Sequence, residues 1–212
     1  YRRLGALAAR LHNHSQSWSP PPGFVRHCWD EEGLLGDEPR MGRFWDHPAL
    51  TPQQRREFLK ARIVLQGFLK KLGKTESNYG LIHADFLPDN IIVDEDKLTL
   101  IDFDDCGYGW HLYEMGTALL PQIKQPFFDD IVAAYLEGYR SERAFSREDE
   151  EALPAFLMLC SLNYLGWFQK RGENIEHADR LAGEIINELL KFIPQLMQQL
   201  TLVQRALVNL LA

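Results

Sequence analysis

At 212 residues, 45% hydrophobic and 25% charged, the chain has ordinary globular composition and is long enough for one domain, residues 1–212, with a sizeable core. A net charge of −7 argues against nucleic acid or an anionic membrane as the main partner, since both attract basic surfaces, and is compatible with a cationic ligand. The three cysteines, Cys28, Cys106 and Cys160, are odd in number and without paired spacing, so buried thiols in a reducing compartment are expected rather than a disulfide framework. With no charged-then-apolar leader and no apolar run of membrane-spanning length in the sequence, the expected location is cytoplasmic.

The first element is a helix from Tyr1 to about residue 16, with Leu4, Leu7, Ala8 and Leu11 on one side. Ser19-Pro20-Pro21-Pro22-Gly23 breaks it, and an irregular stretch runs to His47-Pro48, its Trp18, Phe24, Trp29, Phe44 and Trp45 serving as anchors on the core. Thr51, Pro52 and Gln54 supply an N-cap, a proline at the first helical position and a capping-box glutamine. The helix they start carries Phe58, Ile63, Leu65, Phe68, Leu69 and Leu72, and Gly73 ends it. Short β-rich runs follow at 79–82, 91–93 and 98–101, the last two separated by the turn-like Asp94-Glu95-Asp96-Lys97, which reads as a hairpin. Further helices are expected near 111–120, 126–141, 147–171 and 176–192. Tyr164, Trp167 and Phe168 at helical spacing read as core. From 192 to 211 apolar residues recur on one helical face with Arg205 the sole charge; that face docks on its own chain or joins two copies as a homodimer. The predicted fold class is α+β, mostly α, with helices around a small β-hairpin platform.

Chemistry concentrates at His83-Ala84-Asp85-Phe86-Leu87-Pro88-Asp89-Asn90, followed twelve residues later by Asp102-Phe103-Asp104. An isolated loop Asp is usually a turn-capping carboxylate. Here it has company: H-x-D-x4-N followed by D-F-D is the arrangement of a phosphoryl-transfer site, in which the loop Asp accepts the proton of an attacking hydroxyl. The hairpin puts Asn90 at the start of one strand and Asp102 at the end of its partner, so two hard oxygen ligands meet at one end and suit Mg²⁺. Asp85 is thus the candidate base, and Asn90 and Asp102 the candidate ligands of metal and nucleotide phosphate. His83 is read as fixing the loop by hydrogen bonds. Asp104 is a candidate for metal or substrate, and Asp105 and Glu114 for a cationic group on the acceptor. His12-Asn13-His14 is set aside, because i,i+2 positions on a helix do not share a face.

At residues 79 to 120 the chain resembles the aminoglycoside phosphotransferase and choline kinase family, the small-molecule branch of the protein-kinase-like fold, with His83, Asp85, Asn90 and Asp102 at its motif positions. The stretch from Gly107 to Gly116 is similar to the family's glycine-containing loop running into a helix, with Glu114 where an Asp is usual. Leu11-His12, Trp18, Phe24 and Trp29-Asp30 resemble members of a homoserine-kinase-like or stress-response branch. The resemblance implies an ATP- and Mg²⁺-dependent phosphotransferase acting on a hydroxyl of a small molecule such as an amino alcohol or an aminoglycoside-like compound. No run of strands with a Gly-rich turn and a following Lys is visible, so the chain is expected to be a C-terminal lobe, inactive alone. The other classes left open are a non-catalytic lobe-only binding or dimerisation module and a kinase for protein Ser or Thr hydroxyls.

Overall fold

The computed structural model describes residues 1–171, 180–194 and 198. In chain order its elements are α1 (Arg2–Ser17), β1 (Cys28–Trp29), α2 (Glu31–Leu35), α3 (Pro52–Leu72), β2 (Tyr79–Ile82), β3 (Ile91–Asp94), β4 (Lys97–Leu100), β5 (Gly107–Trp110), α4 (His111–Leu119), α5 (Phe128–Arg140) and α6 (Arg147–Arg171). A last described helix, α7, covers 180–194. The architecture is α+β and mostly α. The chain divides into two compact units, one of residues 1–30 and 74–157, the other of 31–73 and the residues from 158 on.

In the first unit β1, β5 and β2 form a sheet in the order β1-β5-β2, with β1 parallel and β2 antiparallel to β5. The hairpin of β3 and β4 is separate and pairs Ile91 with Leu100 and Asp94 with Lys97. Sequence patterning finds β2 and the hairpin but reads residues 107–110 as loop and places β1 in an irregular stretch. Two glycines in four residues disfavour a strand, and a two-residue strand leaves no alternation to detect. Packed behind the sheet are Trp29, Trp110, Tyr113, Tyr135, Tyr139 and Phe156, all 2% exposed or less. A fully buried Phe156 contributes about 1.5–3 kcal/mol by leaving water.

The buried stripe of α1 is Leu4, Gly5, Ala8, Ala9 and His12, rotated from the expected Leu4, Leu7, Ala8 and Leu11. The cause is α5, whose backbone approaches so closely that a Cβ on Gly5 would collide with the Tyr135 carbonyl and one on Gly138 with that of Arg2. Small residues are therefore on the contact face, and Leu7 and Leu11 flank it.

In the second unit, α3 starts as its sequence dictates. The Gln54 amide N–H donates to Thr51 Oγ1 and Gln54 Oε1 accepts from the Thr51 amide at 2.8 Å, and Gly73 closes the helix at φ 67°. Phe58, Ala61, Leu65 and Leu69 are buried, whereas Ile63, expected on that face, is 66% exposed. Arg62 lies 4.0 Å over Trp45 and donates to the Leu35 carbonyl, tying α2 and the following loop to α3. In α7, Ala182, Ile186, Leu189 and Ile193 are buried at helical spacing. Phe168 is core, but Tyr164 is 46% exposed and stacks on Trp167, a correction to the reading of all three as core. Cys106 and Cys160 are buried and Cys28 is exposed. Among the described residues no helix is long and apolar enough to cross a membrane. Most of the 192–211 stripe lies outside the described residues.

Candidate active site

β2 ends at Ile82 and delivers His83 into a sharp turn, where Ala84 takes φ 66°, a region L-residues rarely adopt. The turn is held from within. Glu114, in the first turn of α4 and wholly buried, accepts the His83 N–H on Oε1 at 3.0 Å and the Ala84 N–H on Oε2 at 2.7 Å. Two amides that would otherwise be buried without partners are satisfied by one carboxylate. His83 completes the brace: its Nδ1 accepts from the Asp85 N–H at 3.3 Å, so the ring proton sits on Nε2 and donates to the Ile101 carbonyl at 2.9 Å. The ring is fully buried and edge-on to Phe103 at 4.7 Å. It links the loop to the end of β4 and has both nitrogens engaged, in keeping with a bracing part.

Asp85 comes out of this turn half-buried. The Asn90 side-chain NH₂ donates to both the Asp85 carbonyl, at 2.9 Å, and its carboxylate, at 2.8 Å. That pair of bonds orients the amide and leaves Asn90 Oδ1 as the available acceptor. Burial raises the Asp85 carboxyl above its ordinary value of 3.8, and the nearby charges of Asp105 and Asp102 add to the rise, against the lowering bond from Asn90. Asn90 closes a short 3-10 turn, Pro88–Asn90, and its carbonyl accepts from the Ile101 N–H at 3.0 Å, joining the two ends of the hairpin next to Asp102. Asp102 and Asp104 are exposed, Asp105 is half-exposed and Asp89 lies in solvent. Asp102 has φ 62°.

The structure therefore brings His83, Asp85, Asn90, Asp102 and Asp105 together and leaves Glu114 behind the loop. The expectation that Glu114 faces a cationic acceptor does not survive its burial: both of its oxygens are occupied by loop amides. Burial also pushes its carboxyl upward. His12 Nε2 is 3.6 Å from Glu114 Oε1, yet burial and Arg143 drive His12 down to about 3 and burial drives His111, stacked on it at 4.1 Å, to about 2, so both rings are neutral and form no ion pair with it. The sequence signal for this role was slight: one acid in the first turn of a largely apolar helix. Among the described residues no three His, Cys, Asp or Glu side chains are grouped to hold an ion. The Asn90 amide oxygen and the Asp102 carboxylate are hard donors that suit Mg²⁺ completed by water and phosphate.

Residues 1–150 match the phosphotransferase enzyme family, APH. The amicoumacin kinase of Bacillus subtilis (strain 168) is 27% identical over 169 residues, covering 75% of this chain and 45% of that protein. The homoserine kinase of Nitrobacter winogradskyi is 32% identical over 172 residues, covering 76% and 48%. A microcompartment-associated aminopropanol kinase superposes with a TM-score of 0.86 at 33% identity over 94% of this chain and 62% of its own. A choline/ethanolamine kinase family protein from Mesorhizobium loti gives 0.70 at 12% identity over 94% and 65%, a likeness of fold alone. The chain spans about half the length of the curated relatives it matches. With a kinase-like fold over nearly its whole length and the family match over residues 1–150, the chain belongs to the phosphotransferase enzyme family.

Proposed function

We propose that this chain carries the transfer and acceptor site of an ATP-dependent kinase that phosphorylates a hydroxyl of a small amino alcohol. The observation that carries the reading is the Asn90 amide, whose nitrogen holds the Asp85 carboxylate while its oxygen stays available to a cation. Asp85, raised by burial, is the base that takes the hydroxyl proton as the oxygen attacks phosphorus, and its two bonds from Asn90 fix its direction. Asn90 Oδ1 and Asp102 are the residues that would hold Mg²⁺, which neutralises nucleotide phosphate charge when bound. His83 and Glu114 keep the loop in its left-handed turn, so the geometry is set before substrate arrives. The acceptor class rests on the aminopropanol kinase likeness and on the acidic surface that Asp104 and Asp105 give the mouth of the loop. Net charge −7 supports a small cationic partner over nucleic acid or a membrane, and dependence on ATP supports a cytoplasmic setting.

The test is an ADP-release assay of the full-length protein with Mg·ATP against aminopropanol, homoserine, choline, ethanolamine and amicoumacin. Turnover with an amino alcohol that disappears in Asp102→Ala is the expected result. Turnover with none of the small acceptors, while a protein substrate is phosphorylated, would overturn the acceptor class.

A further inference from the structure

Residues 26–29 lie outside the H-x-D-x4-N and D-F-D motif, and the side chains of Arg26, His27 and Trp29 hold the acidic loop at residues 104 and 105. The Asp105 carbonyl accepts from the indole N–H of Trp29 at 2.8 Å and from His27 Nε2 at 3.1 Å, so His27 carries its proton there. The preceding carbonyl, of Asp104, accepts from Arg26 Nη1 at 3.3 Å. The clamp is built into the sheet. The Tyr108 N–H donates to the His27 carbonyl at 2.9 Å, His27 is edge-on to Trp29 at 5.0 Å, and Trp29, 1% exposed, stacks on Tyr113 at 5.8 Å. Gly107 is required for it, because a Cβ there would lie 2.7 Å from the His27 carbonyl oxygen and 2.9 Å from its Nε2. A Cβ on Gly109 would press on Trp29 Cβ at 3.1 Å.

At its other end the loop is held by Ile101, whose N–H donates to the Asn90 carbonyl and whose carbonyl accepts from His83. Between the two grips the Cys106 N–H closes a turn onto the Phe103 carbonyl at 3.1 Å, and Asp102 sits at φ 62°. A left-handed aspartate among three like charges on four residues persists only where its surroundings over-determine it. We propose that Trp29, His27 and Arg26 are positioning residues that hold Asp102 in the conformation from which its carboxylate meets the metal. The proposal deepens the kinase reading and rests on its assignment of Asp102 as a metal ligand. Orienting the Asp104 and Asp105 carbonyls toward β1 leaves the loop a single course from Ile101 to Cys106, so the Asp102 carboxylate is presented without first having to be ordered.

The experiment is Mn²⁺ binding in the presence of AMP-PNP, followed by electron paramagnetic resonance on the full-length protein, with amide hydrogen exchange at residues 104–106 in the metal-free protein. Trp29→Phe keeps an aromatic ring, though a smaller one, and removes the donor; His27→Leu removes the other, and His27→Gln retains one. Expected are a rise of about three- to tenfold in the Mn²⁺ constant for Trp29→Phe and for His27→Leu, the size of one lost hydrogen bond. Faster exchange at 104–106 should accompany it, with most of both effects recovered in His27→Gln. Turnover of Trp29→Phe should return toward wild type at high Mg²⁺, which a general loss of structure would not give. Should Trp29→Phe fail to fold, the His27 pair decides in the same way. Unchanged Mn²⁺ affinity in the folded variants, with Asp102→Ala strongly weakened, would overturn the clamp alone; unchanged affinity in Asp102→Ala would remove the metal assignment and the clamp with it.

Discussion

At Asp85, the proposed base, burial and charge both act on one carboxyl. Its folded value lies above the ordinary 3.8, so the carboxylate is lost as pH falls through the raised value, and kcat/KM should fall on the acid side earlier than for an ordinary aspartate. Asn90→Ala removes a lowering hydrogen bond, and its acid limb should move to higher pH; a limb that stays in place would take Asp85 out of the pH profile. Asp85→Asn should cut turnover at least about a hundredfold. An acid with a raised folded value binds its proton more tightly when folded, so its ionised form destabilises the fold at neutral pH, and Asp85→Asn should melt at or above the wild-type temperature. Loss of stability in that variant would assign Asp85 a structural part instead. Glu114, pushed upward by burial in the same way, differs in what its oxygens do. It is a carboxylate spent on two backbone amides, and Glu114→Ala, which leaves both buried and unpaired, should cost about 2–5 kcal/mol in urea denaturation. A cost below about 1 kcal/mol would mean water replaces it.

Elements in this chain are joined by backbone contact as much as by side chains. The crossing of α1 and α5 is closed by Gly5 and Gly138, each facing a carbonyl of the other helix. Gly138→Ala adds helix propensity, worth up to about 1 kcal/mol, but forces the helices apart at a cost of about 1–3 kcal/mol or more, so the packing term wins. Thermal unfolding should show a clear drop in Tm for Gly138→Ala. Gly183→Ala is the control, since a Cβ there meets nothing within 4 Å; equal behaviour of the two variants would refute the close crossing.

For the whole molecule the relevant quantity is its charge. The seven net negative charges of these 212 residues would attract a cationic ligand over distances that salt shortens, from about 30 Å at 0.01 M to about 3 Å at 1 M ionic strength. If the acceptor is an amino alcohol, its KM in the full-length enzyme should rise with added potassium chloride while that for a neutral alcohol analogue should not. Parallel behaviour of the two acceptors would show that the acidic surface takes no part in capture.

The sequence by itself determined what depends on near neighbours. Thr51, Pro52, Gln54 and Gly73 set the ends of α3 through bonds spanning three or four residues, the Asp94–Lys97 turn set the hairpin, and the offsets from His83 to Asp102 marked the proposed site because its residues lie on one loop and one hairpin. Tertiary structure alone decided the roles that depend on distant partners. Glu114 could not be separated from a substrate-facing acid until its oxygens met amides 30 and 31 positions back, and Trp29 was only an aromatic anchor until its N–H met a carbonyl 76 positions on. The glycines of β5 read as loop because their reason, the close passage of β1, is not written in their own neighbourhood. Periodicity and spacing record which face of an element is buried, whereas the identity of the atom that arrives there is settled only when the elements pack.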